Sequence, residues 1–177
     1  MYLETFLVPW TKIARGLPKI RRYADDRAPT IEEIRRITEY PDRRIKALVC
    51  IMTSSGIRLG AWDNLRWKDV VPVRKNNDVI AAKVIVYAGD EEEYFSFISP
   101  EAYNETEKWM DYRRQSGEPI NENSWVVRNL WDTKQGMKRG FIAEPKKLQS
   151  LGVKKLVEDA LWIQGLRKKL EPGKKTS

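Results

Sequence analysis

Two adjacent runs rich in β-branched and aromatic residues most constrain the fold of this chain. They are VIAAKVIVY at 79–87 and EYFSFI at 93–98, and the intervening AGDEE is typical of a turn. The spacing predicts a β-hairpin, and VVPV at 70–73 is a candidate third strand. Segments of helical period lie on both sides. The sequence therefore predicts an α+β fold, a mainly helical domain with a small antiparallel β-sheet, and not a doubly wound one.

Capping and stop signals position the helices. Thr30 and Glu33 have the spacing of a capping box. Ser99 and Pro100 are a typical N-cap and first helical residue, and Gly56 is a typical helix stop. These signals and the apolar spacing predict helices over about 30–39, 42–54, 60–66, 99–115 and 153–170. Short helices are expected within 118–150.

The chain of 177 residues is long enough for one ordinary domain and part of another. Residues 1–27 are irregular and basic, which favours a linker or the tail of an N-terminal DNA-binding domain. Residues 28–177 are assigned to one domain. The basic side chains of the first segment suit contacts with phosphates, although a solvated linker is the alternative; they include Lys12, Arg15, Lys19, Arg21 and Arg22.

The charge balance favours a polyanionic partner. The chain carries 33 Lys and Arg residues against 25 Asp and Glu, a net charge of +8, so double-stranded DNA is the expected partner. Eight basic residues lie between Arg128 and Lys155, among them Lys134, Lys138 and Arg139. No apolar window reaches the ~20 residues of a membrane span, and the N-terminus lacks a signal-peptide pattern. We therefore expect no membrane association and a cytoplasmic location, which the single cysteine also suits.

The chain contains no histidine and one cysteine, Cys50. This composition excludes histidine general bases, Cys-His pairs and the usual zinc sites. We predict no metal and no cofactor. Any catalysis by this chain must depend on Arg, Lys, Asp, Glu, Ser or Tyr.

Arg58 follows the predicted helix stop at Gly56 and precedes another helical segment. Such a junction would fix the base of the side chain while the guanidinium points away from both helices. A guanidinium is always charged and can bind two phosphate oxygens at once. A solvated surface arginine is the alternative interpretation.

The segment TSSGIRLGAWDNLRWKDV at 53–70 resembles the first arginine box of the tyrosine recombinases, the phage integrase family. A hairpin and the FISPEA segment at 97–102 follow in the family's order, so the resemblance covers about 28–170. RRYADDRAPTIEEIR and YPDRRIK are similar to archaeal integrases. The resemblance implies that Arg58 binds the scissile phosphate and that a hairpin lysine, here Lys83, acts on the leaving hydroxyl. It also implies a covalent phosphotyrosyl intermediate.

The chain departs from the family pattern at the other catalytic positions. Ala61 stands where an acidic residue is common, and the hairpin turn is acidic rather than basic. QGLR at 164–167 imitates the histidine-arginine box but is predicted to lie inside a continuous helix, and no tyrosine follows Tyr112. We therefore expect a catalytic domain truncated before that box and inactive alone.

Two other functions remain open, a non-catalytic DNA-binding or regulatory module and, less favoured, a protein-interaction domain. An uncovered apolar face is expected on the 153–170 helix. That face predicts self-association, or dependence on a partner such as a full-length integrase.

Overall fold

The structure is a computed structural model, and it describes residues 27–130 and 146–168. The chain divides into two units, and the larger, Pro29–Lys169, contains all the described helices and strands. Residues 1–26 of the predicted linker lie outside the described residues.

Helices pack against one face of a small sheet, which confirms the α+β prediction. In chain order the elements are α1 (Ile31–Thr38), α2 (Arg43–Ser55), 3₁₀ helices at Leu59–Asp63 and Trp67–Asp69, β1 (Val70–Lys75), β2 (Asp78–Val86), β3 (Tyr94–Ile98), α3 (Pro100–Gln115) and α4 (Ser150–Ile163).

The predicted caps are present. The Thr30 hydroxyl accepts the N–H of Glu33 at 3.2 Å, and the Glu33 carboxylate accepts the N–H of Thr30 at 2.8 Å. Asp42 caps α2 and Ser99 caps α3 through their side chains. Each cap satisfies main-chain donors that the first turn leaves unpaired, which explains why these helices begin where the sequence indicates.

The sheet is an antiparallel meander in the order β1-β2-β3. Asn76 and Asn77 form the two-residue turn between β1 and β2 with positive φ of 50° and 72°, a conformation that asparagine tolerates. One face of the sheet packs against α2 and α3 and contributes to the main core. We call this the inner face and the opposite one the outer face. Large buried side chains of that core include Leu48, Ile51, Trp62, Leu65, Val84 and Ile98.

Two sequence expectations about helices differ from the structure within the described residues. The short helix predicted over about 60–66 is present as the 3₁₀ helix Leu59–Asp63, with different bounds. Residues 118–130 contain no helix, because their main-chain groups bond to distant segments: Val126 N–H donates to the carbonyl of Leu65, and Asn129 N–H donates to that of Lys146.

Helix α4 ends earlier than expected. Gly165 has a φ of 67°, its N–H donates to the Trp162 carbonyl, and the N–H of Leu166 donates to the Leu161 carbonyl. These two bonds are those of a Schellman cap. The QGLR segment therefore lies at a helix end and not inside a continuous helix.

The apolar side of α4 is covered. Val153 and Ala160 are fully buried, and Leu156, Val157 and Leu161 pack against the cores formed with α1 and α2. The expectation of an uncovered face is therefore wrong for the side of α4 that carries Val153 and Ala160, although Leu151 and Ile163, near the two ends of the helix, are exposed. None of the described helices combines the length and apolarity needed to cross a bilayer.

Candidate nucleic-acid interface

Arg58 lies at a sharp corner after α2. Gly56 is the C-cap in the left-handed conformation, with φ of 66°, and its N–H donates to the Met52 carbonyl at 3.0 Å. Ile57 then turns inward and is 4% exposed. Arg58 is exposed and is the N-cap of the following 3₁₀ helix. The buried isoleucine anchors the corner directly beside the arginine.

Two hydrogen bonds between serine residues attach this corner to β3 and to the start of α3. The Ser96 hydroxyl donates to the carbonyl of Ser55 at 2.9 Å, and the N–H of Ser99 donates to the Ser54 hydroxyl at 2.7 Å. The end of α2 is thus bonded to β3 and to the start of α3. The main chain that carries Arg58 is therefore fixed by three elements.

The Arg58 side chain has no ion pair and no hydrogen bond to other residues within 27–130 and 146–168. A guanidinium has five N–H donors and cannot be neutralised at physiological pH. Within the described part of the chain these donors are available to an external anion.

The acidic residue near this corner serves another purpose. Asp63 accepts a hydrogen bond from the main-chain N–H of Ser150 at the start of α4. Ala61, in the position where the resemblance would place an acidic residue, is buried. Asp63 is therefore a structural link to α4 and shares no ion pair with Arg58.

Lys83 lies in the middle of β2 on the outer face. Its neighbours Ala82 and Val84 point into the core, whereas Lys83 is opposite Val71 on β1 and Phe97 on β3. Its Nζ lies 4.8 Å from the centre of the Phe95 ring, a cation–π contact. The catalytic role of Lys83 stays a prediction.

The architecture is similar to that of solved recombinase structures. XerA recombinase is similar with a TM-score of 0.57 and 18% identity, over 88% of this chain and 48% of that protein. XerH recombinase, solved with its difH substrate before cleavage and with a palindromic difH substrate after cleavage, gives a TM-score of 0.53 and 14% identity in both complexes.

The fold is shared with site-specific recombinases. The chain spans about half the length of XerA and covers 38% and 37% of the two XerH chains, so the likeness concerns part of those proteins. No protein-family model and no curated protein matches the sequence.

The other predicted DNA contacts lie outside the described residues. This applies to Lys12, Arg15, Lys19, Arg21, Arg22, Lys134, Lys138 and Arg139. Arg128, counted among the basic residues of the C-terminal half, is fully buried in an ion pair with Glu118 at 2.7 Å. It therefore contributes to stability and not to a binding surface.

Sequence reasoning missed Tyr87, whose hydroxyl approaches Gly60 in the segment after Arg58. Its φ is 57°, unusual for a bulky residue, and its ring meets Tyr94 edge-on. A Cβ added at Gly60 would lie 3.0 Å from the Tyr87 hydroxyl, so only glycine allows this approach without adjustment. No sequence pattern signals the contact, because it joins residues 27 positions apart in two different elements.

Proposed function

We propose that this chain is a DNA-binding part of a tyrosine-type site-specific recombinase and that Arg58 contacts a backbone phosphate. The observation that carries the proposal is an exposed arginine without a described partner, on a rigid corner, in a fold shared with XerA and XerH. Duplex DNA is the proposed ligand. The XerH structures support this choice, because they contain that protein's DNA substrate.

The proposed chemistry at Arg58 is electrostatic. Preorganised guanidinium donors bind non-bridging phosphate oxygens and would stabilise the charge that develops there during phosphoryl transfer. Lys83 remains in the proposal as the hairpin lysine that acts on the leaving hydroxyl, and it lies on the outer face of the sheet.

We further propose that the chain binds DNA without cleaving it. The sequence contains no histidine. Tyr112, the last tyrosine, stacks on Trp109 on α3, and the guanidinium of Arg43 lies 4.5 Å from its ring centre. These contacts suit a packing role rather than a nucleophile. Strand exchange would then need a complementing chain, such as a full-length integrase or a second copy. The alternative, a purely regulatory DNA-binding module, rests on the same observation.

Two measurements test the proposal. Fluorescence anisotropy with a labelled duplex should show weak binding with little sequence preference, and log K should fall with log salt by about 0.9 per phosphate neutralised. Affinity that does not depend on salt would contradict phosphate-driven binding. A nicked suicide substrate should trap no covalent adduct, and an adduct mapped to Tyr112 would refute the non-cleaving part.

A further inference from the structure

A second cationic site surrounds Trp125. The Arg66 guanidinium lies 4.0 Å from the centre of the indole ring, and the Lys147 ammonium lies 5.7 Å from it. The three residues come from distant parts of the chain. The tertiary fold thus brings two cations to one aromatic side chain.

Both cations are held in place. Arg66 donates from Nη1 to the Asn123 carbonyl at 2.9 Å, and Arg66 and Trp125 form an isolated antiparallel bridge. The Lys147 ammonium donates to Asn64 Oδ1 at 3.4 Å. A planar guanidinium stacked on an indole is preorganised, so it loses little conformational entropy when it binds an anion.

The charges at this site are not balanced by ion pairs. Among residues 27–130 and 146–168, no carboxylate lies within 4.0 Å of the side-chain nitrogens of Arg66, Lys68 or Lys147. Asp69 is nearby, but its carboxylate accepts the main-chain N–H of Arg66. Adjacent unpaired cations repel one another, and an anion placed between them would remove that repulsion.

Arg66 also lines a cavity of about 440 Å³. Lys68, Asn64, Asp69 and the turn Tyr87–Asp90 line it as well, so the carboxylates of Asp69 and Asp90 share the lining with two cations, and Lys147 lies outside it. The Tyr87 hydroxyl in turn reaches Gly60, two residues after Arg58. Tyr87 therefore connects the lining of the cavity to the segment that follows Arg58.

We propose that Arg66, Lys68 and Lys147 form a second subsite that binds a backbone phosphate of a polynucleotide. The assignment rests on the proposed DNA-binding function and extends it, because it names a phosphate contact separate from Arg58. Arg66 binds the phosphate through the guanidinium edge left free by Asn123. The two lysines act as point charges.

The test uses the full chain with Arg66→Gln and Lys147→Gln, and Lys108→Gln as a control that also removes one charge. Lys108 lies on α3, where it pairs with Glu105. Each subsite variant should reduce the slope of log K against log salt by up to about 0.9, the value for one phosphate, equally for unrelated duplexes, whereas the control should leave it unchanged. If Arg66→Gln proves unstable, Lys147→Gln carries the slope test alone, and Arg66→Lys, which retains the charge, should leave the slope unchanged.

A second readout separates the subsite from DNA binding as a whole. The indole N–H resonance of Trp125, assigned with Trp125→Phe, should shift when inorganic tripolyphosphate is added and should not shift in Lys147→Gln. DNA binding with slopes equal to the control would overturn the subsite and leave the proposed function standing. A tripolyphosphate shift without DNA binding would support the anion subsite and reject the proposed function. Absence of both effects would reject both.

Discussion

Arg58 and the pair Arg113 and Arg128 show two opposite uses of arginine in one small fold. Arg113 and Arg128 are fully buried, and both guanidiniums contact the carboxylate of Glu118. Arg58 is exposed at a corner and has no described partner. The difference teaches that a partner, and not the residue type, decides whether an arginine contributes to stability or remains available to a ligand.

The buried group also organises the chain around it. Arg113 donates to the carbonyl of Trp125 at 2.6 Å, and Arg44 donates to that of Arg128 at 3.1 Å. Burial lowers the pKa of Arg128, and the Glu118 carboxylate opposes that shift. These bonds fix the irregular segment 118–130 against α2 and α3. The same segment presents Trp125 to Arg66, so the buried cluster indirectly supports the proposed subsite.

Glu118→Gln should have the largest effect. The substitution leaves two buried guanidiniums without a counter-charge, and breaking a buried ion pair costs about 3–5 kcal/mol of unfolding free energy. Urea unfolding at neutral pH measures the loss. Asp111→Asn, which removes an exposed ion pair with Arg114, is the control and should change stability by less than about 0.5 kcal/mol. Equal effects of the two substitutions would contradict the contrast between buried and exposed arginine partners.

Arg58→Ala should have the opposite effect: DNA affinity should fall, and the free energy of unfolding should hardly change. Because the side chain is exposed, we expect the unfolding free energy to change by less than about 0.5 kcal/mol. Duplex affinity should fall by at least about tenfold, since hydrogen bonds to charged groups contribute about 1.5–3 kcal/mol. Arg114→Ala removes the same charge from an exposed position on α3 and serves as the control. Unfolding of the Arg58 variant, or affinity equal to that of the control, would show that Arg58 does not bind phosphate.

Gly56→Ala should lower the free energy of unfolding by less than Glu118→Gln does. No atom lies within 4 Å of the added Cβ, so the cost arises only from the left-handed backbone. That cost is about 1 kcal/mol for alanine. Gly56→Asn, which tolerates the conformation better, should lose less, and thermal unfolding can rank the three proteins. If alanine and asparagine are equally destabilising, backbone conformation does not explain the glycine.

Local signals predicted most of the fold and one part of the site. The Thr30–Glu33 capping box, the Ser99 cap, the hairpin and the Gly56 corner each depend on residues close in sequence, and the structure contains all four. The exposed position of Arg58 follows from that corner. These features were predictable because neighbouring residues are enough to determine them.

The remaining features depend on tertiary contacts. The buried Glu118 cluster and the Arg66–Trp125–Lys147 group each join segments far apart in the chain, so no local pattern indicates them. Lys83 lies on the strand that the sequence predicts, but the face of the sheet on which it lies depends on the pairing register of three strands. Gly165 did carry a local stop signal, which the continuing apolar period of α4 obscured.

Glu105 is less buried than Glu118 and more buried than Arg58, and its substitution should give the smallest of these effects. Its carboxylate is 3.1 Å from the Lys46 ammonium and 2.7 Å from that of Lys108, and the side chain is 17% exposed. Burial alone would raise the pKa of Glu105, but the two lysines outweigh it, so the pKa lies below the ordinary 4.5. The folded state then binds the proton more weakly than the unfolded state. Its stabilising contribution is present above 4.5 and is lost as the pH falls through the lower folded-state pKa.

Glu105→Gln should therefore cost less than about 1 kcal/mol at neutral pH, as expected for a partly solvated ion pair. The difference from the original protein should shrink once the pH falls below both pKa values, because the carboxyl is then protonated in the folded and unfolded states alike. Urea unfolding at neutral pH and at a series of acidic pH values measures this convergence. A difference that persists at the acidic end would mean that the side chain stabilises α3 through packing, and that its charge contributes little.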